Sequence, residues 1–227
     1  MSRKTLIARR GASALAGISL LLFATACGAS VTKGTPPGGG GGGGGGTNYV
    51  PKATALKVCS LIDLAPLARS LHSTGYTFGP KDVPAGVGLE WNGPQCSAQF
   101  TLAPLGGTVM VPARLNAAVI AYPTAAEADQ QFQDRVKKAA DKEAGTATVT
   151  ELPGEWTKGT IVVSRGHGDN ALYALIRKDS YLVKISLQVS SDAAGKAKWP
   201  FTLNQTQATV ASTAKAFYTS ASAKLTA

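Results

Sequence analysis

From Ala53 onward the apolar positions fall into runs whose period changes from helical to alternating and back. Leu64, Leu67, Ala68 and Leu71 recur at spacings of three and four, so Val58 to Leu71 reads as a helix entry and a short helix. Asp63 is its expected N-cap, and Pro66 sits in the first turn, where a missing N–H costs little. Gly75 ends the helix, and Gly79-Pro80 and Pro84 to Gly88 read as loop. Leu89-Glu90-Trp91 and Cys96 to Leu102 read as two strands around the turn Asn92-Gly93-Pro94. Gly106-Gly107 breaks the second strand. Thr108 to Val111 and Leu115 to Tyr122 predict further strands, separated by Pro112.

Helical spacing returns at Thr124-Ala125-Ala126-Glu127, a capping box with Thr124 as N-cap and Glu127 three residues on. That helix is predicted to run to about Glu143 and to stop at Gly145. Ala125, Ala128, Phe132, Val136 and Ala139 make its apolar stripe, while Asp129, Gln133, Lys137 and Asp141 make a solvated face. Three strands follow. Thr160 to Ser164 leads into the loop Gly166-His167-Gly168-Asp169-Asn170, and Ala171 to Arg177 leads into a turn at Asp179-Ser180. Tyr181 to Val189 completes the set, with Val183, Ile185, Leu187 and Val189 on its core side. Asn204 is the expected cap of a last helix over residues 205 to 224, lined by Val210, Ala214, Phe217, Ala221 and Leu225. Strands in a run with helices at start, middle and end predict an α+β fold: an antiparallel sheet with helices packed on it, one domain over residues 53–227.

The first 52 residues follow other rules. Arg3, Lys4, Arg9 and Arg10 precede an uncharged apolar stretch, Ala12 to Ala26, which is shorter than the ~20 residues of a membrane-spanning helix. The run Leu20 to Ala26 ends in small residues before Cys27 and resembles the lipobox of bacterial lipoproteins, with Ala24 where a lipobox usually has leucine. The resemblance implies a signal peptide over residues 1–26 and lipidation of Cys27, which would become the first mature residue on the extracytoplasmic face of the cell membrane. Residues 27–52 then read as a tether. Pro36-Pro37 precedes nine glycines, Gly38 to Gly46, which lose much entropy on ordering and have nothing to bury. A Gly-rich coil of ~25 residues spans about 25–30 Å.

The three cysteines fit this reading. An exported chain meets an oxidising compartment, where thiols pair. Lipidation of Cys27 removes the odd one and predicts a Cys59–Cys96 disulfide.

Removing the leader takes four of the 23 basic residues and none of the 13 acidic ones, leaving a net charge of +6. The positives are interleaved with acids, as in Asp134 to Lys138, and form no aromatic-studded stripe, so nucleic acid is not an expected partner. The expected partners are the membrane, through Cys27, and an envelope protein, a lipid or a wall polymer.

Candidate chemistry is sparse. The histidines are His72, at a helix end, and His167, in a glycine-flanked loop with Arg165 and Asp169. Ser164, His167 and Asp169 could be combined into a hydrolytic set, but no Gly-x-Ser-x-Gly turn displays a serine in the mature chain. Cys59 and Cys96 lack the partners of a zinc site, and no cofactor is expected. Trp91, Trp156 and Trp199 read as core or rim residues. The expectation is a non-catalytic binding or sensing module, with a hydrolase using His167 and a carrier with an apolar pocket as alternatives.

The order of features as a whole is similar to that of a known group: a lipobox, a low-complexity tether, a Cys-Ser-Leu helix entry at Cys59, a second cysteine about 35 residues later near a Trp, a strand ending in Tyr122-Pro123-Thr124, an Ala-rich capped helix, a strand meander and a terminal helix. It resembles the actinobacterial lipoproteins of the domain-of-unknown-function family numbered 3558. The likeness covers about residues 55 to 225. It implies an envelope lipoprotein with a PsbP-like α/β sandwich and no assigned catalytic residues.

Overall fold

Alternating apolar positions build seven strands into one antiparallel sheet in the computed structural model, which describes residues 47–106, 110–141, 146–165, 169–190 and 199–227. The strands are β1 (Gly75–Val83), β2 (Gln95–Leu102), β3 (Val111–Ala121), β4 (Thr146–Glu151), β5 (Lys158–Arg165), β6 (Asp169–Lys178) and β7 (Tyr181–Ser190). Their order in space is β1-β2-β3-β7-β6-β5-β4. The central pair β3 and β7 is therefore far apart in sequence. The chain leaves β3, crosses one face of the sheet as helix α3 (Ala125–Ala140), and meanders back from the far edge.

Helices cover both faces. Helices α1 (Val50–Thr54), α2 (Ala65–Ser70) and α4 (Leu203–Thr226), with a 3-10 turn at Val58–Ser60, pack on the first. There Val183, Ile185, Leu187 and Val189 of β7 meet Val210, Ala214, Phe217, Ala221 and Leu225 of α4, as the alternation predicts. Each large side chain so buried contributes about 1.5–3 kcal/mol. On the second face Ile120, Val162, Tyr173, Leu175 and Leu182 pack against Ala128, Phe132 and Ala139 of α3. The fold is thus the expected α+β arrangement, layered helix–sheet–helix. Cys59 and Cys96 form the predicted disulfide, Cα atoms 4.7 Å apart, tying the 3-10 turn to β2.

Several boundaries differ from the sequence reading. Leu89-Glu90-Trp91 is loop, not strand. The strand lies earlier, at β1, where Gly79 and Pro80 suggested a loop. β1 is an exposed edge with irregular register between Tyr76 and Lys81, a place where glycine and proline are tolerated and discourage pairing with other chains. Val111 to Ala121 is one strand through Pro112, which pairs only with β2; pairing with β7 begins at Ala113. β4, the other edge, is exposed along its whole length and so has no buried pattern to read.

The cap of α4 is Thr202, not Asn204. Gln205 N donates to Thr202 Oγ1, and Thr202 N donates to Gln205 Oε1. The formal N-cap of α2 is Leu64, although Asp63 Oδ1 accepts from Ala65 N at 2.9 Å. Thr124 caps α3 as predicted, accepting from Glu127 N, but Ala125 is exposed and the helix ends at Ala140. Packed structure is also present before the expected end of the tether at Lys52. Tyr49 is buried with its ring edge-on to Tyr181, centroids 5.1 Å apart, and Val50–Thr54 is already helical. Cys27, the polyglycine run and His167 lie outside the described residues. Among the described residues no helix is long and apolar enough to cross a membrane.

Candidate functional site

A groove of about 970 Å³ opens on the face of the sheet that carries α3. It is large for a small-molecule site, which typically measures roughly 300–1,000 Å³. Its origin lies in how two central strands change along their length. On this face β3 presents Arg114, Asn116, Ala118 and Ile120 in succession. Antiparallel β7 sets Gln188, Ser186, Lys184 and Leu182 beside them, pair by pair. One end of the face is apolar and lies under α3; the other is polar and stays open. Ser97 and Gln99 of β2 extend the polar rows toward the edge.

The loop between β1 and β2, residues 84–94, forms one wall. It is folded tightly on itself: Gly86 N donates to Trp91 O at 2.8 Å, and Val119 N of β3 donates to Pro94 O at 3.2 Å. At Gly93 a Cβ would lie 2.3 Å from Val119 O, so the approach of loop to strand requires glycine there. The outcome is an inverted alternation. Leu89 and Trp91 point out, 81% and 71% exposed, while Glu90 between them points in and is 4% exposed. Phe78 on β1, 67% exposed, stands on the same rim.

Buried Glu90 is held by two cations. Arg135 of α3 contacts Oε2 at 2.7 Å, and Lys184 of β7 contacts Oε1. A buried carboxylate is tolerated when paired in this way. The contacts join loop, helix and sheet at one point. Burial alone would lower the Arg135 pKa; the Glu90 charge, aided by Tyr122, more than offsets it and leaves the guanidinium above its ordinary value. Burial pushes the neighbouring Tyr122 phenol up, against the opposing pull of Arg135.

A second network orders the floor. Gln95 Nε2 donates to Val87 O at 2.7 Å, which turns Gln95 Oε1 toward Asn116. Asn116 Nδ2 donates to that oxygen. This orientation leaves Asn116 Oδ1 as an acceptor without a hydrogen-bond donor, on a residue only 4% exposed that lines the groove. An unsatisfied buried acceptor costs about 1–3 kcal/mol, so this atom is suited to a donor brought from outside.

The lining carries five basic residues, Lys81, Arg114, Arg135, Lys138 and Lys184, against two acids, Glu90 and Asp134. Glu90 is engaged with Arg135 and Lys184. Arg114, Lys138 and Lys81 make no ion pair among the described residues and are exposed. Among the described residues the groove is lined by no histidine and no cysteine.

The residues singled out from the sequence fall elsewhere. His72 is exposed at the end of α2, in a left-handed conformation with φ +49° that turns the chain out of the helix. Ser164 is buried in β5, away from the groove lining. Cys59 and Cys96 are spent in the disulfide. Of the tryptophans, Trp156 is partly buried against Tyr218 and donates to Leu152 O, and Trp199 stacks on Phe201. Trp91 alone of the three lines the groove. Among the described residues no three histidine, cysteine or carboxylate side chains gather as metal ligands. Glu90, Asn116, Arg135 and Lys184 carry no signal in sequence, since Glu90 meets its partners 45 and 94 residues away.

The chain matches no protein-family model and no curated protein. Among solved structures it is similar to the extracellular domain of PknH from Mycobacterium tuberculosis, at 15% identity and a TM-score of 0.37, over 69% of this chain and 94% of that one. A score that low transfers neither a fold nor an activity.

Proposed function

We propose that the protein is a cell-envelope lipoprotein whose domain binds a ligand in the groove without transforming it. The leader, the lipidated Cys27 and the glycine tether would hold the domain at the extracytoplasmic face of the membrane. The disulfide supports an oxidising compartment, because the cysteines other than Cys27 are paired with each other. The resemblance to the actinobacterial lipoprotein family agrees with this placement.

The observation that carries the binding reading is the groove itself: a large, mixed polar and apolar cleft whose wall is fixed in place by Glu90. Its chemistry is that of recognition. Its buried carboxylate, Glu90, is paired with two cations, and amides and cations make up most of the described polar lining. A hydrolase needs a nucleophile and base within reach of each other, and among the described residues this lining supplies serines and a tyrosine without a histidine.

Native mass spectrometry of the protein released from its own membranes should show a non-covalent adduct. Ser97→Trp, which fills the floor, should lose it. Purified protein should hydrolyse ester, peptide and glycan substrates no faster than His167→Ala does. Turnover that disappears in His167→Ala would replace this reading with the hydrolase. An intact mass without diacylglyceryl-cysteine at residue 27 would remove the anchor.

A further inference from the structure

The polarity of the groove narrows the ligand class, given the binding reading above. Three features must be satisfied together. The first is charge: five basic side chains face two acidic ones, and Arg114 of β3 and Lys138 of α3 both line the groove, exposed and without an ion pair among the described residues. The second is the orphan acceptor Asn116 Oδ1 on the floor, two residues along β3 from Arg114, which wants a hydroxyl or amine donor. The third is the rim of Phe78, Leu89 and Trp91, an apolar surface left in water. Large exposed apolar patches rimmed by polar residues mark interaction sites. A free anion would use the first feature and ignore the third. A neutral glycan would use the second and could stack on Trp91, but would leave the charge and Leu89 unmatched.

We infer that the groove takes an anionic membrane lipid, its phosphate between Arg114 and Lys138, a headgroup hydroxyl on Asn116, and the first part of its acyl chains against Phe78, Leu89 and Trp91. The attraction is complementary in charge, and it weakens as salt screens it. A Lys or Arg near an anionic lipid surface contributes enough to change affinity about fivefold.

The test uses the chain from Gly28 onward with Cys27 removed, which keeps every described residue and lacks the proposed anchor. Titration calorimetry with monomeric short-chain phosphatidylglycerol should show saturable binding, weaker at high salt. Short-chain phosphatidylcholine and glycerol phosphate should each bind at least about tenfold more weakly, since each lacks one of the matched features. Arg114→Ala and Lys138→Ala should each weaken phosphatidylglycerol about fivefold, with Arg114→Lys restoring most of the loss. Both side chains are exposed, so unchanged thermal unfolding is expected alongside. The fluorescence of Trp91, isolated by subtracting Trp91→Phe, should shift to the blue as lipid binds.

Equal affinity for phosphatidylcholine would overturn the anionic assignment. Glycerol phosphate binding as tightly as the lipid would show a free-phosphate site and overturn the lipid. Saturable binding of neutral oligosaccharides, abolished by Ser97→Trp, would overturn this inference while leaving the groove as a binding site. A native adduct insensitive to Ser97→Trp, with no lipid binding, would take down both.

Discussion

The two faces of the sheet are built from the same strands and differ in what they finish. On the face under α4 the β3 and β7 positions are apolar from end to end: Ala113, Leu115, Ala117, Val119 and Ala121 beside Val189, Leu187, Ile185, Val183 and Tyr181. On the α3 face the same strands are apolar only at one end, where Ile120 and Leu182 lie under the helix. Toward the other end they carry Asn116, Arg114, Ser186 and Gln188. A strand of a two-layer sandwich is amphipathic across its width. These strands are also amphipathic along their length, and the boundary is where the apolar contact with α3 ends and the groove begins. Stability belongs to the first face and the apolar half of the second. The polar half is free to specialise.

That division predicts unequal costs for similar substitutions. Phe217→Ala empties a site in the closed face that is 1% exposed, and should cost about 4–5 kcal/mol, near the top of the range for buried phenylalanine. Phe132→Ala, on the helix that covers half a face, should cost about 3 kcal/mol, because the rim lets the site relax. Urea denaturation measures both. Equal costs would mean that the two faces are equally well packed, and the comparison would fail.

The disulfide fastens the 3-10 turn to β2 on the closed face, one strand in from the exposed edge, since Cys96 is buried in β2 and β2 pairs with β1. Replacing both cysteines by alanine reopens a loop with a sequence separation of 37 and should cost about 4 kcal/mol. The unfolding midpoint with and without reductant reads the same quantity. A shift too small to resolve would place the closure of this region in the core contacts around Val58 and Leu71 instead.

How much of this the sequence disclosed follows the same division. The closed face was legible because Val183, Ile185, Leu187 and Val189 repeat with a period of two, and because Val210, Ala214, Phe217 and Ala221 repeat with a helical one. The edges were not. β1 carries Gly79 and Pro80, and β4 buries nothing, so neither shows a pattern that packing would impose. The groove was the least legible part. Lys184, Ser186 and Gln188 look like an ordinary solvated side of a strand. Leu89-Glu90-Trp91 looks like a strand with its charge outward, whereas the loop turns the charge in and the apolar pair out. Only partners supplied by distant elements, Arg135 and Lys184, make that orientation favourable.

Glu90 is therefore where the polar half should be most sensitive. Glu90→Ala leaves two cations facing each other without their carboxylate. Breaking a buried pair costs about 3–5 kcal/mol, and the partial exposure of Arg135 and Lys184 sets the expectation at the lower end, about 3 kcal/mol. Removing the excess positive charge should recover part of it: Glu90→Ala combined with Lys184→Met should be less costly than Glu90→Ala alone. A double-mutant cycle with no coupling would show that the loop is held by Gly93 and Gln95 and not by charge.

The smallest effect separates the ion pairs on the two sides of α3. On the far side from the groove, Asp129 meets Lys158 Nζ at 2.7 Å and Arg177 Nε at 3.2 Å, and accepts from Gln133 Nε2 at 2.7 Å. The bond from Lys158, with further help from Gln133 and Arg177, holds its carboxyl below the usual aspartate range despite some opposing desolvation. A carboxyl whose pKa is depressed on folding adds stability that is present above its unfolded pKa, near 4, and lost as pH falls through the lower folded value. The wild-type urea midpoint should therefore decline between neutral pH and about pH 3, and Asp129→Asn should flatten that decline, mainly by lowering the neutral end. The site is open to water, so the difference should be small and should shrink further in high salt. An unchanged acid slope in Asp129→Asn would assign the acid sensitivity to other carboxylates. It would leave α3 held on its covered half by Phe132 and its apolar neighbours alone.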